Sequence, residues 1–342
     1  MILVEQRSWK PGNDLKVRLK DYPFPFPDIY GSYLESSGLG RHLLCISDDG
    51  QILMPVRKYK SGFLTIIQIL HPPLKNGQRL EGEEELVFLE KFLSRAGKDK
   101  WADRISQPPT HVVFKSAPLK TVSAGFGTWY LSLAEKDEAE LWNGLHGKHR
   151  NVIRNAENKG VVIKEGVDQL RTFYSLYTPT MNRAGMSPEP FSEFQALSDA
   201  LNPGHLICAV AYFNEKPLGA LLMPYSAYGA YYVYGASAED MEINGAMNYL
   251  HWHMILKMKA LGVQRYDFVG ARLSNVAGTR LGGIQQFKLR FGCTLESGLI
   301  WKADLNMFKC RAYDLLVKMY WKLKGVRLRG DIIDQELAKP AE

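Results

Sequence analysis

No stretch of this chain approaches the run of roughly 18 to 20 apolar residues that a membrane-spanning helix needs. The opening Met1-Ile2-Leu3-Val4-Glu5-Gln6-Arg7 lacks the basic start and apolar run of a secretory signal. Cysteine is scarce. Cys45, Cys208, Cys293 and Cys310 are scattered without metal-ligand spacing, which argues against a disulfide framework and against a zinc site. Cys208 sits in an apolar, strand-like run and reads as a small buried hydrophobe. These absences point to a reduced, cytoplasmic protein without a metal.

What is present is ordinary for a folded chain. Its 342 residues exceed the size at which one core stops growing, so two domains are expected. Hydrophobic residues at 46% and charged residues at 23% exclude a disordered composition. The net charge of +7 favours anionic partners: nucleic acid, phosphorylated metabolites or acidic lipid headgroups.

After a proline-rich opening through about Pro27, a strand meander is expected. It takes in His42–Ser47, Gln51–Val56 and Leu64–Leu70, with Asp48-Asp49-Gly50 as a tight turn. Glu83 to Leu93 has helical spacing, Phe126 to Leu133 strand character, and Asp137 to Lys159 reads as one long helix closed by Gly160. The second half repeats this order. A short strand at Val161–Ile163 precedes helices over Gln169–Arg183 and Phe191–Leu201. Strands follow at Leu206–Tyr212, Leu218–Met223 and Ala230–Ala236. Next comes a helix capped by Asn244 and running to Leu261. A strand at Arg265–Val269, a helix at Ile284–Phe291, a strand at Leu299–Ala303 and a last helix over Asn306–Lys324 complete the order. The class is α/β with mixed sheets. The expected division is 1–158, 159–304 and a C-terminal helix and tail over 305–342 that packs back on the first domain. The two domains would join near Lys159 with a cleft between them.

Five motifs stand in order between Lys148 and Gly292. They are Lys148-His149-Arg150-Asn151-Val152-Ile153-Arg154-Asn155-Ala156 with Lys159-Gly160-Val161, Tyr231-Tyr232-Val233-Tyr234-Gly235-Ala236-Ser237, Asn244-Gly245-Ala246-Met247-Asn248, Tyr266-Asp267-Phe268-Val269-Gly270 and Gly283-Ile284-Gln285-Gln286-Phe287-Lys288-Leu289-Arg290-Phe291-Gly292. In this run the chain resembles the Fem-type aminoacyltransferases. The resemblance implies two GNAT-like domains packed side by side. It also implies transfer of an aminoacyl group from aminoacyl-tRNA to the stem-peptide amine of a peptidoglycan or other envelope precursor. With no heptad run, the chain resembles the members that lack a coiled-coil arm.

Such a transfer requires no resident cofactor and no protein nucleophile, because the incoming amine attacks the ester directly; positioning and electrostatics dominate. The resemblance assigns stabilisation of the transferring group to the Phe287-Lys288 pair. Phe287 would wall the site or contribute its backbone. Arg150 and Arg154, four apart on a helix, can hold a pyrophosphate with Lys148, or form a plain basic surface. By alternation Tyr232 and Tyr234 share a strand face with Tyr228, opposite Tyr231, and line a groove or fill core. Asp267, between apolar neighbours, binds the acceptor amine or pairs with an arginine. Arg272 flanks a loop over Gly270–Gly283 that suits an anion or merely connects. His251 and His253 point to different helix faces and are not a metal pair. The final helix, with Phe308, Leu315, Met319 and Leu323 on one face and basic residues beside them, either rests on an anionic bilayer at the inner face of the membrane or packs on the first domain.

Two rival functions differ in what they require. A CoA-dependent N-acyltransferase of polysaccharide or envelope biosynthesis calls for an Arg/Gln-x-x-Gly-x-Gly/Ala turn, which is missing between Gly235 and Met247. A non-catalytic RNA-binding protein lacks a supporting signature and would be indifferent to Lys288.

Overall fold

The structure is a computed structural model describing residues 1–5, 23, 28–202, 204–240, 242–325 and 330–339. Most of the proline-rich opening and the basic Arg327 and Arg329 lie outside these residues.

Two sheets organise the described chain. The larger has twelve strands. Its path runs β1 (Ile2–Glu5), β2 (Arg41–Ile46), β3 (Ile52–Ser61), β4 (Leu64–Ile69), β7 (Arg104–Ser106), β16 (Thr294–Asp304), β8 (Val122–Ser132), β14 (Arg265–Asp267) and β12 (Ala230–Tyr231). β5 (Leu74–Lys75) and β6 (Gln78–Arg79) branch beside β3, and β15 (Ala271–Arg272) pairs with β8. The smaller sheet orders β13 (Tyr234–Ser237), β11 (Lys216–Pro224), β10 (Leu206–Phe213) and β9 (Val162–Glu165). The helices are α1 (Asp28–Ser36), α2 (Gly82–Lys98), α3 (Glu138–Gly144), α4 (Gly147–Asn158), α5 (Leu170–Arg183), α6 (Phe191–Leu201), α7 (Ala246–Ala260), α8 (Arg280–Leu289), α9 (Met307–Leu323) and α10 (Ile332–Leu337).

Side-chain periodicity explains the layers. On β10, Ile207, Ala209 and Ala211 face one core and Leu206, Cys208 and Val210 face another. The first core is closed by α7, whose Leu250, Met254, Ile255 and Met258 also meet Leu131, Tyr266 and Phe268 of the larger sheet and its flank. The second is closed by Phe173 and Tyr177 of α5, Phe194 and Leu197 of α6, and Leu34 of α1. A third core packs Phe88, Leu89, Phe92 and Ala96 of α2 on Met54, Val56, Ile67 and Trp301. Burying one such large apolar side chain stabilises by roughly 1.5–3 kcal/mol.

Four expectations change. The helix expected over Asp137–Lys159 is two helices. Asp137 forms a capping box with Glu140, and Leu145 and His146 then adopt extended backbone before His146 caps α4 through Lys148 N. Gly245, with φ 99°, rather than Asn244, precedes α7. A Cβ at Gly245 would lie 2.3 Å from the Val152 carbonyl oxygen, so only glycine lets α4 come this close. The strand expected over Ala230–Ala236 is interrupted between Tyr231 and Tyr234, and its halves belong to different sheets. Lastly, the larger sheet runs through both halves of the chain. β16 inserts between β7 and β8 and pairs with β8 from Thr294↔Tyr130 to Lys302↔Val122. Local patterns reveal strands but not this non-local order.

Candidate active site

The interruption after Tyr231 opens the site. β12 and β14 run parallel for two pairs only, Ala230↔Tyr266 and Tyr231↔Asp267. Tyr232 N then donates to the Asp267 carbonyl at 2.8 Å. Beyond this bond the two segments part. β13 joins β11 in the smaller sheet, whereas Phe268 N stays with the Trp129 carbonyl at 2.8 Å. The divergence makes a wedge between the sheets, with α7 packed on both.

On the β14 side the backbone is strained. Val269 has φ 47° and Gly270 φ 52°; a β-branched residue in the left-handed region is costly and must be held there by its surroundings. Asp267, 1% exposed, does the holding. Its Oδ1 accepts from Val269 N at 2.8 Å and Thr128 Oγ1 at 2.5 Å, and its Oδ2 from Arg265 Nη2 at 2.7 Å. Arg265 continues to Glu296 at 3.0 Å, which also receives Arg79 at 3.0 Å.

The strained turn presents its carbonyls to Lys288 of α8. Nζ donates to the Val269 oxygen and to the Gly270 oxygen, the latter at 2.8 Å. An ammonium has three N–H groups, so one remains beyond these two bonds. Lys288 is buried, not a solvated helix lysine. Burial pushes its pKa down to about 8, against the opposing pull of the Asp267 charge.

An aromatic box lies beside it. His251 of α7 is fully buried. Its ring is 4.4 Å from Tyr232, 5.1 Å from Phe268 and 5.5 Å from Phe287 between centroids. His251 Nδ1 shares a hydrogen bond of 2.8 Å with the Tyr266 hydroxyl, while Nε2 has no partner among the described residues. Burial holds its pKa down at about 3, so the ring is neutral. His149 packs on Phe287 and Phe291 at 5.4 and 4.7 Å and pairs with the Phe287 carbonyl at 3.0 Å. Phe287 thus packs in this box and holds His149 through its carbonyl. Sequence reasoning missed His149, Thr128 and Arg265 and passed over His251. The signal for His251 was present, since it falls four after Met247 and three before Met254 on the apolar face of α7.

The other sequence candidates scatter. Arg150 donates through Nη1 to the carbonyls of Asn143 at 3.0 Å and of Leu145, at the end of α3. Arg154 is exposed and lies over Trp142 at 5.2 Å; Lys148 is exposed. Tyr232 and Tyr234 do not share a face, because the strand break turns them into different cores. Tyr232 joins the His251 box, and burial pushes its pKa up to about 12. Tyr234 meets Phe194 at 5.1 Å and Tyr177 at 6.2 Å. Asp267 has an arginine partner, and both of its oxygens already accept hydrogen bonds. Arg272 is not open to an anion; it binds Glu336 and, at 2.9 Å, Gln335, and so ties α10 to β15. Among the described residues no three His, Cys, Asp or Glu side chains are grouped to hold a metal.

A wedge between splayed parallel strands, with a helix packed on both sheets, is the arrangement of a GNAT-like fold. Residues 146–288 match the model of a family described as an acetyltransferase (GNAT) domain. Over 91% of its length the chain shares the fold of FemX, with a TM-score of 0.63 at 17% identity and 96% of FemX covered. L-PGS from Bacillus licheniformis is similar at a TM-score of 0.52 and 14% identity, covering 87% of this chain and 97% of that one. No curated protein sequence matches the chain. The double GNAT-like α/β fold with mixed sheets expected from the motifs is therefore the fold observed.

Proposed function

We propose that the chain is an aminoacyltransferase that moves an amino acid from aminoacyl-tRNA to an amine of a cell-wall (peptidoglycan) precursor. The observation that carries this reading is how closely α4 packs on Asn244 and Gly245, which lead into α7. In a CoA-dependent acyltransferase the amides at such a helix start hold the pyrophosphate. Here α4 lies against the residues that lead into the helix. Asn155 Nδ2 donates to the Asn244 carbonyl at 3.2 Å, and Gly245 abuts Val152. The FemX fold over 91% of the chain supports the same reading.

In this mechanism the acceptor amine attacks the aminoacyl ester carbonyl. A C–N bond forms and the C–O bond to the tRNA ribose breaks. The amine proton ends on the released ribose hydroxyl or in solvent. The third N–H of Lys288 donates to the oxyanion, in a site where burial strengthens the interaction. Asp267 acts at one remove, by fixing the turn that positions Lys288. Exposed Lys148 and Arg154 supply charge for the polyanionic donor.

The family match over 146–288 favours a second reading, an N-acyltransferase of envelope or polysaccharide biosynthesis that uses acyl-CoA. Calorimetry with charged tRNA and with acetyl-CoA separates the two. The proposal expects the charged tRNA to bind more tightly. Tight acetyl-CoA binding with no response to charged tRNA reverses the assignment.

A further inference from the structure

The C-terminal helix α9 has two unlike faces. Its inner face is anchored. Cys310 is buried against Leu64 and Ile66, Tyr313 shares a hydrogen bond of 2.6 Å with Ser61, and Asp314 pairs with Arg104 at 2.8 Å. Its outer face is bare. Phe308 is 90% and Leu323 87% exposed, and Leu315, Leu316 and Met319 lie exposed between them. These five residues fall on one helical stripe. A helix normally turns such a stripe inward; here the anchored face is a different one.

One edge of the stripe is cationic. Arg311, Lys318 and Lys322, spaced seven and four apart, line one edge, and Lys324 follows the last turn. Asp314 is the sole acid in α9, and it is turned inward to Arg104. Tyr320 and Trp321, with ring centroids 5.3 Å apart, stand at the same end.

We infer that α9 lies flat on an anionic lipid surface, with the stripe seated among acyl chains and the flanking cations at the headgroup phosphates. None of the described helices is long and apolar enough to cross a membrane, which fits a helix that rests on one. A second copy of the chain is a poorer occupant. Apposing two such stripes would set like-charged edges against each other, whereas an anionic leaflet complements both the apolar stripe and its rim. The inference does not depend on the acyl-transfer reading, because lipid binding needs no donor.

The test is flotation of the full chain with vesicles of phosphatidylcholine alone or mixed with phosphatidylglycerol. Two double variants are compared, L315D/L323D and K318E/K322E, with circular dichroism to establish that each is folded. The wild-type chain should float with the mixed vesicles and be released by salt. Each double variant should lose about tenfold or more in partitioning while keeping its melting temperature. Absence of binding, or binding that survives L315D/L323D, overturns the inference. So does a dimer in sedimentation equilibrium that L315D/L323D dissolves, since the stripe would then be a protein interface.

Discussion

Two buried polar clusters meet at the turn after β14, and they differ in how the central charge is met: Asp267 has an opposite charge in Arg265, and Lys288 has only backbone carbonyls. Around Asp267 both carboxylate oxygens have donors, and the ion pairs extend through Arg265 and Glu296 to Arg79, with the Nε of each arginine lacking a partner among the described residues. Around Lys288 and His251 the pairing is incomplete: one ammonium N–H and one imidazole nitrogen are left over. A chain of opposite charges rigidifies, while leftover donors and acceptors cost stability and retain capacity for a ligand. The first cluster therefore builds the turn, and the second uses it.

The largest effect expected from breaking this contrast is on stability. Asp267→Ala leaves Arg265 buried without that partner and frees the strained Val269 turn. A loss of about 3–5 kcal/mol is expected for such a broken buried pair, read by urea denaturation. A variant of near-normal stability would mean that the turn is held by something else.

Lys288→Met should act chiefly on chemistry. Removing one oxyanion donor costs about 2.7–4 kcal/mol, or roughly a hundred- to a thousandfold in turnover, with donor affinity changed much less. Because Lys288 is buried and serves two carbonyls, its loss should also lower stability, by about 1–3 kcal/mol. A solvated lysine would show no such loss. Turnover and denaturation measured on one preparation separate the two effects.

The same residue gives a pH signature. Its folded pKa, about 8, lies below the ordinary value of about 10.4. Between these values the unfolded chain binds more protons, so this group's contribution to stability rises with pH across that window. Turnover that needs the ammonium moves the other way and falls as pH passes through 8. Lys288→Met should abolish the rise in stability, and its residual turnover should lack the fall.

His251→Phe keeps the aromatic box but strands the Tyr266 hydroxyl, at about 1–3 kcal/mol in thermal denaturation. The smallest effect belongs to Lys148→Ala and Arg154→Ala. Stability should stay within about 0.5 kcal/mol. Affinity for charged tRNA should fall modestly and lose part of its salt dependence. An unchanged salt slope would remove α4 from the donor surface.

Much of the fold was legible because local periodicity governs it. The Asp48–Gly50 turn, α2, α6 and α9 fall within a few residues of where spacing and caps put them. The break in the 137–159 helix was hidden because Leu145 keeps the apolar spacing while its backbone leaves the helix. At the candidate site, a motif pointed to Phe287 and Lys288. The uses of Arg150 and Arg272 were not, because their partners are backbone carbonyls and an acid 64 residues away. The tyrosine alternation failed because the chain changes sheets between Tyr231 and Tyr234. Contacts of this kind depend on tertiary placement, which no local window contains.

The most direct test of the account follows a labelled aminoacyl group from charged tRNA to the stem-peptide amine of a peptidoglycan precursor, beside acetyl transfer from acetyl-CoA to the same acceptor. The account predicts amide formation from the charged tRNA, reduced at least about a hundredfold in Lys288→Met with donor binding retained. Faster acetyl transfer from acetyl-CoA, or aminoacyl transfer that does not change in Lys288→Met, would contradict it.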